Sequence, residues 1–209
     1  MKKQKKNKFI LGVTGGIGTG KSTVARLFKT RSCELIDADK LAHQSLCRGG
    51  TVYKKIVSFF GPGILKRDKN IDRQKLAGIV FLHKPALEKL NSIMHPALKK
   101  EIFRRISNSR KRIIILDAAL IIEAGLRRKL DKLVVVTAKR GQQLKRSGRK
   151  LAINNRQARL RMKSQISQDE KSRFADFIID NSGSINKTRK QVLAIRRALV
   201  RQSSQGFSK

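Results

Sequence analysis

Short apolar runs alternate along the chain with amphipathic stretches of helical spacing. The runs are rich in Ile, Val and Leu and too short for helices, which is typical of buried parallel strands. They cover Phe9–Thr14, Glu34–Asp37, Arg112–Asp117, Lys132–Thr137 and Phe177–Asp180. Strands that alternate with helices predict a three-layer α/β fold around a five-stranded parallel sheet.

Two gaps between the predicted strands are too long for simple crossover helices. Residues 40–111 separate the second and third strands, and residues 138–176 separate the fourth and fifth. Connections of this size usually form functional subdomains or lids. We therefore expect a single domain whose core is made of 9–39, 112–137 and 177–201.

A glycine-rich motif lies between the first predicted strand and the first predicted helix. Residues 15–22 read Gly-Gly-Ile-Gly-Thr-Gly-Lys-Ser and fit G-x-x-x-x-G-K-[ST] in full. Its glycines let successive amides face one anion, and the helix N-terminus adds partial positive charge. Lys21 is expected to bridge the β- and γ-phosphates, and Ser22 to offer its hydroxyl to Mg²⁺. The predicted contacts to a nucleoside triphosphate are Gly16, Gly18, Thr19, Gly20, Lys21, Ser22 and Thr23.

Three acidic residues stand at the ends of predicted strands. Asp37 and Asp39 follow the second strand, and Asp117 ends the third. Ligands of open parallel sheets bind at the carboxyl ends of strands, so these acids should surround the same crevice as the glycine-rich loop. Asp39 is the candidate that accepts a proton from an acceptor hydroxyl, although spacing alone does not choose it over Asp37. Helix capping is the alternative role for Asp39, and Asp117 resembles a Walker B acid that holds Mg²⁺.

Glu123 and the basic residues of 138–176 each have two or more possible roles. Glu123 follows the apolar stretch Leu120–Ile122 and is either a site acid, a surface acid, or an acid paired with the nearby Arg127 or Arg128. Residues 138–176 are rich in Lys and Arg, as in a lid that closes over a transferring phosphoryl group. Arg146 and Arg149 are the candidates there, and a solvated basic face is the alternative.

The amino-acid composition indicates which kinds of ligand and partner to expect. Fifty Lys and Arg against 14 Asp and Glu give a net charge of +36, which favours anionic ligands. The basic residues are spread along the chain and are not interleaved with aromatic residues, so no specific nucleic acid is expected. The Lys-rich segment 1–8 is interpreted as a solvated tail. No stretch approaches the ~20 apolar residues of a membrane span, and two cysteines without metal-ligand spacing suit a reducing cytoplasm.

The sequence resembles the dephospho-CoA kinase family over roughly residues 9–200. The resemblance rests on the loop with its preceding Thr14, on Ile36-Asp37-Ala38-Asp39 and on His95-Pro96. Further matches are Phe60-Gly61, Asp72-Arg73, Leu76-Ala77, Val80-Phe81, Leu120 to Glu123, Arg161-Met162 with Gln165, Ala175-Asp176 and Ile179-Asp180-Asn181. The chain departs from the family at Ala119, where a Pro is usual, and at Ser147-Gly148-Arg149-Lys150 in the lid.

The resemblance implies a P-loop kinase that moves the γ-phosphate of ATP to the ribose 3′-hydroxyl of dephospho-CoA, with Mg²⁺, as the last step of CoA synthesis. It implies that 40–111 is a helical CoA-binding insertion and 138–176 a lid. We expect a monomer or small homo-oligomer. It favours Asp39 over Asp37 and makes Lys21 and Asp39 the catalytic residues. The remaining implied contacts are Arg73, His95 and Glu123 to the acceptor, and Arg146, Arg149 and Asn181 to the nucleotide.

Other functions remain open for a chain with this loop. A P-loop NTPase or kinase acting on another nucleotide would share every residue except those of 40–111. A nucleic-acid-binding NTPase would use the basic surface and would show steep salt dependence. Without the resemblance, His95-Pro96 would be interpreted as a helix break.

Overall fold

The computed structural model describes residues 8–151 and 153–205, with side chains up to residue 201. The predicted basic tail therefore lies outside the described residues, apart from Lys8. The strands are β1 (Phe9–Thr14), β2 (Cys33–Asp37), β3 (Ile113–Asp117), β4 (Lys132–Thr137) and β5 (Phe177–Asp180). They form one sheet in the order β2-β3-β1-β4-β5, and the predicted α/β fold with five parallel strands is confirmed.

The strand register brings the carboxyl ends of the strands to the same edge of the sheet. Val13 of β1 lies opposite Asp117 of β3, and Thr14 lies opposite Val135 of β4. Thr137 of β4 lies opposite Asp180 of β5. The segments that follow β1, β3, β4 and β5 therefore begin beside one another. Ligands of open parallel sheets bind at this edge, at the carboxyl ends of the strands.

Nine α-helices occur among the described residues. In chain order they are α1 (Lys21–Phe28), α2 (Ala38–Ser45), α3 (Thr51–Phe60), α4 (Arg73–Val80), α5 (Lys84–Asn108), α6 (Arg140–Leu151), α7 (Asn155–Lys163), α8 (Gln168–Ser172) and α9 (Ile185–Gln205). None of these helices is both long enough and apolar enough to cross a lipid bilayer.

The chain divides into two compact units, residues 1–36 with 110–209 and residues 37–109. In the first unit, α1 and α9 cover one face of the sheet. Their side chains join strand residues in a core that includes Val13, Val24, Phe28, Val134, Val136, Ile179 and Val192. This packing fixes the start of α1, and with it the loop that joins β1 to α1.

The second unit is helical and has its own core. Val52 and Ile56 of α3 pack with Leu76 and Val80 of α4, and α5 lies against both helices. Pro96 lies inside α5, so the interpretation of His95-Pro96 as a helix break is wrong. A proline removes one helical hydrogen bond, and the apolar side chains of α5 on both sides of it pack into the core and keep the helix continuous.

Candidate active site

The β1–α1 loop has a backbone that side chains would disturb. Gly18 and Gly20 have φ angles of 75° and 87°, in the left-handed region that glycine adopts at no steric cost. A Cβ at Gly15 would lie 2.5 Å from the carbonyl oxygen of Val136 and 2.6 Å from Thr19 Oγ1. The loop therefore keeps a curled form, closed by a hydrogen bond from the Thr19 amide to the carbonyl oxygen of Gly16 at 3.2 Å. Curled glycine-rich backbone of this kind is typical of anion sites.

Side chains from distant segments support this loop. Asn181, directly after β5, donates from Nδ2 to the carbonyl oxygen of Thr19 at 2.8 Å. Its own Oδ1 accepts from Thr188 Oγ1 at 2.8 Å, so the amide orientation is fixed. Thr19 Oγ1 donates to the carbonyl oxygen of Gly16 at 2.9 Å. The structure therefore places Asn181 against the loop backbone, where it holds the carbonyl oxygen of Thr19.

Lys21 and Asp117 form a buried ion pair at the carboxyl edge of the sheet. Lys21 Nζ lies 3.3 Å from Asp117 Oδ1, and the two side chains are 11% and 2% exposed. The pairing follows from the register, because β1 and β3 end side by side and α1 starts one loop later. A buried ammonium group next to a carboxylate, at the start of a helix, provides both charge for a triphosphate and a ligand for its counter-ion.

The residues at this edge fit a magnesium ion. Between residues 8 and 205, leaving out Ala152, no three or more His, Cys, Asp or Glu side chains form a group that could hold a metal ion. Mg²⁺ usually needs no such cage, since it takes one or two protein oxygens together with substrate phosphates and water. The Asp117 carboxylate and the Ser22 hydroxyl, next to Lys21 in the chain, are oxygen donors of that kind.

Glu123 has a different partner from those suggested by the sequence. Its Oε1 accepts from Lys171 Nζ of α8 at 2.8 Å, and Lys171 is fully buried. The expected partner Arg127 instead pairs with Asp176 at 2.9 Å. A pairing of Glu123 with Arg127 is therefore wrong, because Arg127 is already engaged with an acid 49 residues away.

Helix α6 carries the two arginines predicted for the lid. Arg146 is half-buried and donates from Nη1 to the carbonyl oxygen of Asn181 at 3.0 Å. The same atom lies 4.0 Å from the point that a Cβ on Gly20 would occupy. Arg149 lies three residues later and is exposed. The structure thus brings Arg146 to the loop and gives Arg149 a solvent-facing position.

Gln143 of α6 is a loop neighbour that the sequence did not single out. It is buried, and its Nε2 donates to the carbonyl oxygen of Ala138 at 2.7 Å. Its Oε1 would lie 3.5 Å from a Cβ on Gly16, and its backbone fills the space beside Gly18. In the sequence it follows another glutamine, Gln142, and no local signal distinguishes the two.

Asp37, Asp39, Arg73 and His95 belong to the helical unit. Asp37 is the N-cap of α2 and accepts from the Lys40 amide at 2.9 Å, whereas Asp39 lies in the first turn of that helix and is half-buried. The alternative role of Asp39 as a helix cap is therefore wrong, because Asp37 already fills that position. Arg73 opens α4 and is exposed, and His95 lies half-buried in the middle of α5.

Asp180, at the end of β5, and Arg161, in α7, have pKa values that differ from those of the free side chains. The pKa of Asp180 is lowered, chiefly because its carboxylate accepts hydrogen bonds from Ser182. Burial lowers the pKa of Arg161 in α7.

Comparison with known proteins gives one family. The family model for dephospho-CoA kinases matches residues 9–187. The dephospho-CoA kinase of Aquifex aeolicus is 43% identical over 192 residues, which cover 91% of this chain and 97% of that protein.

Solved structures agree with the sequence comparison. The dephospho-CoA kinase from Campylobacter jejuni superposes with a TM-score of 0.64 at 30% identity, covering 93% of this chain and 98% of that one. A shikimate kinase from Acinetobacter baumannii, at 16% identity and a TM-score of 0.57, covers 94% of this chain and 96% of its own and shares the fold. With the family model spanning most of its length, this chain belongs to the dephospho-CoA kinase family.

Proposed function

We propose that this protein transfers the γ-phosphate of ATP to the ribose 3′-hydroxyl of dephospho-CoA, giving CoA and ADP. The observation that carries the proposal is the buried Lys21–Asp117 pair beside a complete phosphate loop, in a chain of this family. Catalysis of phosphoryl transfer depends mainly on positioning the reacting groups and on stabilising charge on the phosphate oxygens. The residues at this edge of the sheet can do both.

The donor side of the reaction is assigned to the sheet unit. Loop amides and the Lys21 ammonium group hold the β- and γ-phosphates, and Asp117 and Ser22 are the residues that would hold Mg²⁺. The ion would neutralise charge on the phosphate oxygens during transfer. Arg146, next to the loop, adds positive charge from the lid segment 138–176, and Arg149 is the second lid arginine assigned to the nucleotide.

The acceptor side is assigned to the helical insertion 40–111. Asp39 accepts the proton of the 3′-hydroxyl, while Arg73 and His95 bind dephospho-CoA. The cap hydrogen bond at Asp37 supports Asp39 as the reacting carboxylate, because that bond commits Asp37 to the start of α2. Glu123, assigned to the acceptor by resemblance, already has one oxygen engaged by Lys171.

The test is an assay of ADP release with dephospho-CoA as acceptor, compared with adenosine and AMP. We expect ADP formation only with dephospho-CoA. ADP release of the same rate without an acceptor, or with AMP alone, would contradict the proposal. Lys21→Met should abolish the reaction, whereas Lys29→Met, an exposed lysine at the other end of α1, should leave it unchanged.

A further inference from the structure

A glutamine in the lid segment contacts the phosphate loop directly. Gln165 lies between α7 and α8, and its Oε1 accepts a hydrogen bond from the Ile17 amide at 3.2 Å. The same oxygen would lie 3.8 Å from a Cβ on Gly16. A loop amide is thus held by a side chain that lies 148 residues away in sequence.

The residues that follow Gln165 are anchored to the loop after β3. The Ile166 amide donates to Glu123 Oε1 at 3.3 Å. Lys171, with a side chain that is 0% exposed, donates to that same oxygen at 2.8 Å and to the carbonyl oxygen of Ala119 at 2.7 Å. A buried ammonium group with two such partners is expensive to displace, so the segment 165–171 has a fixed position.

The anchor also connects to the end of β1. The Ala119 carbonyl oxygen that receives Lys171 also accepts from Thr14 Oγ1 at 3.1 Å. Thr14 directly precedes the phosphate loop, and Ala119 lies two residues after Asp117. The network therefore contacts the phosphate loop through Gln165 and lies next to it at Thr14. Through Ala119 it also lies close in sequence to Asp117.

We propose that Gln165 is a positioning residue for the phosphate loop, held in place by the Lys171–Glu123 ion pair. By accepting from the Ile17 amide, it fixes the orientation of that peptide and leaves the later amides of the loop to face the donor phosphates. Without this acceptor the amide has to find another partner, and the loop loses part of its ordered form. The inference rests on the proposed function only in naming ATP as the ligand of the loop.

Replacement of Gln165 by methionine, which is similar in size and lacks Oε1, tests the inference. We expect ATP to bind about fivefold to tenfold more weakly, the loss that corresponds to one hydrogen bond. The KM for dephospho-CoA should stay unchanged. ATP binding is measured by calorimetry without any acceptor, so the result does not depend on which acceptor the enzyme uses.

Gln157→Met is the matched control. Gln157 lies in α7 of the same lid segment, and its Oε1 also accepts from a backbone amide, that of Asn154, at 3.2 Å. This control removes a hydrogen bond of the same kind and length away from the phosphate loop, so ATP binding should not change. Equal loss of ATP affinity in both variants would overturn the proposal.

Hydrogen exchange gives a measurement with its own control for folding, because core amides are followed in the same sample. In the unaltered protein the Ile17 amide should exchange slowly, and in Gln165→Met it should exchange faster while core amides of β1 keep their protection. Rapid exchange of Ile17 in the unaltered protein would overturn the proposal. Lys171→Met should also speed exchange at Ile17, because it releases the anchor, and no change there would refute the role of the ion pair.

Discussion

Asp37 and Asp39 are two positions apart, yet their carboxylates have different surroundings. Asp37 starts α2 by accepting the Lys40 amide, and Asp39 lies half-buried in the first helical turn. Asparagine caps helices about as well as aspartate, but it cannot take a proton as a carboxylate does. The same substitution at the two positions therefore separates a structural role from a chemical one.

Asp39→Asn should lower kcat by about 10²–10⁴-fold, the range for loss of a general base. ATP affinity should remain largely unchanged, because the proposed phosphate contacts belong to the other unit. Asp37→Asn should keep most of the turnover, since the cap survives. Steady-state kinetics with both substrates makes the comparison, and near-normal turnover of Asp39→Asn would show that another group accepts the proton.

Helix α8 is short, and its attachment depends on one buried charge. Lys171→Met should destabilise the protein by about 3–5 kcal/mol, because Glu123 would keep a largely buried charge without its partner. The double variant Lys171→Met/Glu123→Gln should recover part of that loss. Chemical denaturation measures both, with Lys84→Met as control, since the exposed Lys84–Glu88 pair at 3.9 Å should contribute less than about 1 kcal/mol.

Helix α5 carries a carboxylate between two arginines. Hydrogen bonds from Arg104 and Arg105 lower the pKa of Glu101 from 4.5 to about 2. The folded pKa is the lower one, so this stabilisation is complete above pH 4.5 and is lost as the pH falls toward 2. The gain is small because the pair faces solvent.

An NMR titration of Glu101 checks this expectation. Its carboxyl group should titrate near pH 2, and Arg104→Gln with Arg105→Gln should return the pKa toward 4.5. An unchanged titration in the double variant would mean that the two arginines are not the cause.

The strands and the phosphate loop could be predicted from the sequence because their signals are local. Each strand is a contiguous apolar run, and the loop is a contiguous motif joined to a strand and a helix. The partner of Glu123 could not be predicted in this way. It lies 48 residues away, and with 50 Lys and Arg in the chain no charge pattern selects Lys171. The Gln165–Ile17 contact is a long-range contact of the same kind.

Helix α5 shows a different limit of local reasoning. His95-Pro96 predicts a break when only the neighbouring residues are considered, because proline lacks an amide proton. The helix nevertheless continues from Lys84 to Asn108. Apolar contacts of α5 with α3 and α4 keep the helix continuous through Pro96. These contacts are made with other helices, so the residues next to Pro96 in the sequence do not reveal them.

The net positive charge of the molecule should affect how readily it captures anionic substrates. A net charge of +36 attracts anions from all sides, and both ATP and dephospho-CoA are anions. Raising the ionic strength from about 0.05 M to about 0.3 M should therefore raise both KM values severalfold with little change in kcat. Kinetics at constant free Mg²⁺ measures this, and values of kcat/KM that do not vary with salt would show that the surface charge has no part in substrate capture.

The two left-handed glycines of the phosphate loop limit how this enzyme can be redesigned. A methyl group at position 18 would collide with the backbone of Gln143, and one at position 20 with the side-chain amide of Asn181. Even alanine at either position would push the loop away from a neighbour that holds it. Laboratory evolution toward a new phosphate donor would therefore have to leave both codons untouched and select its changes in the segments that surround the base and the sugar.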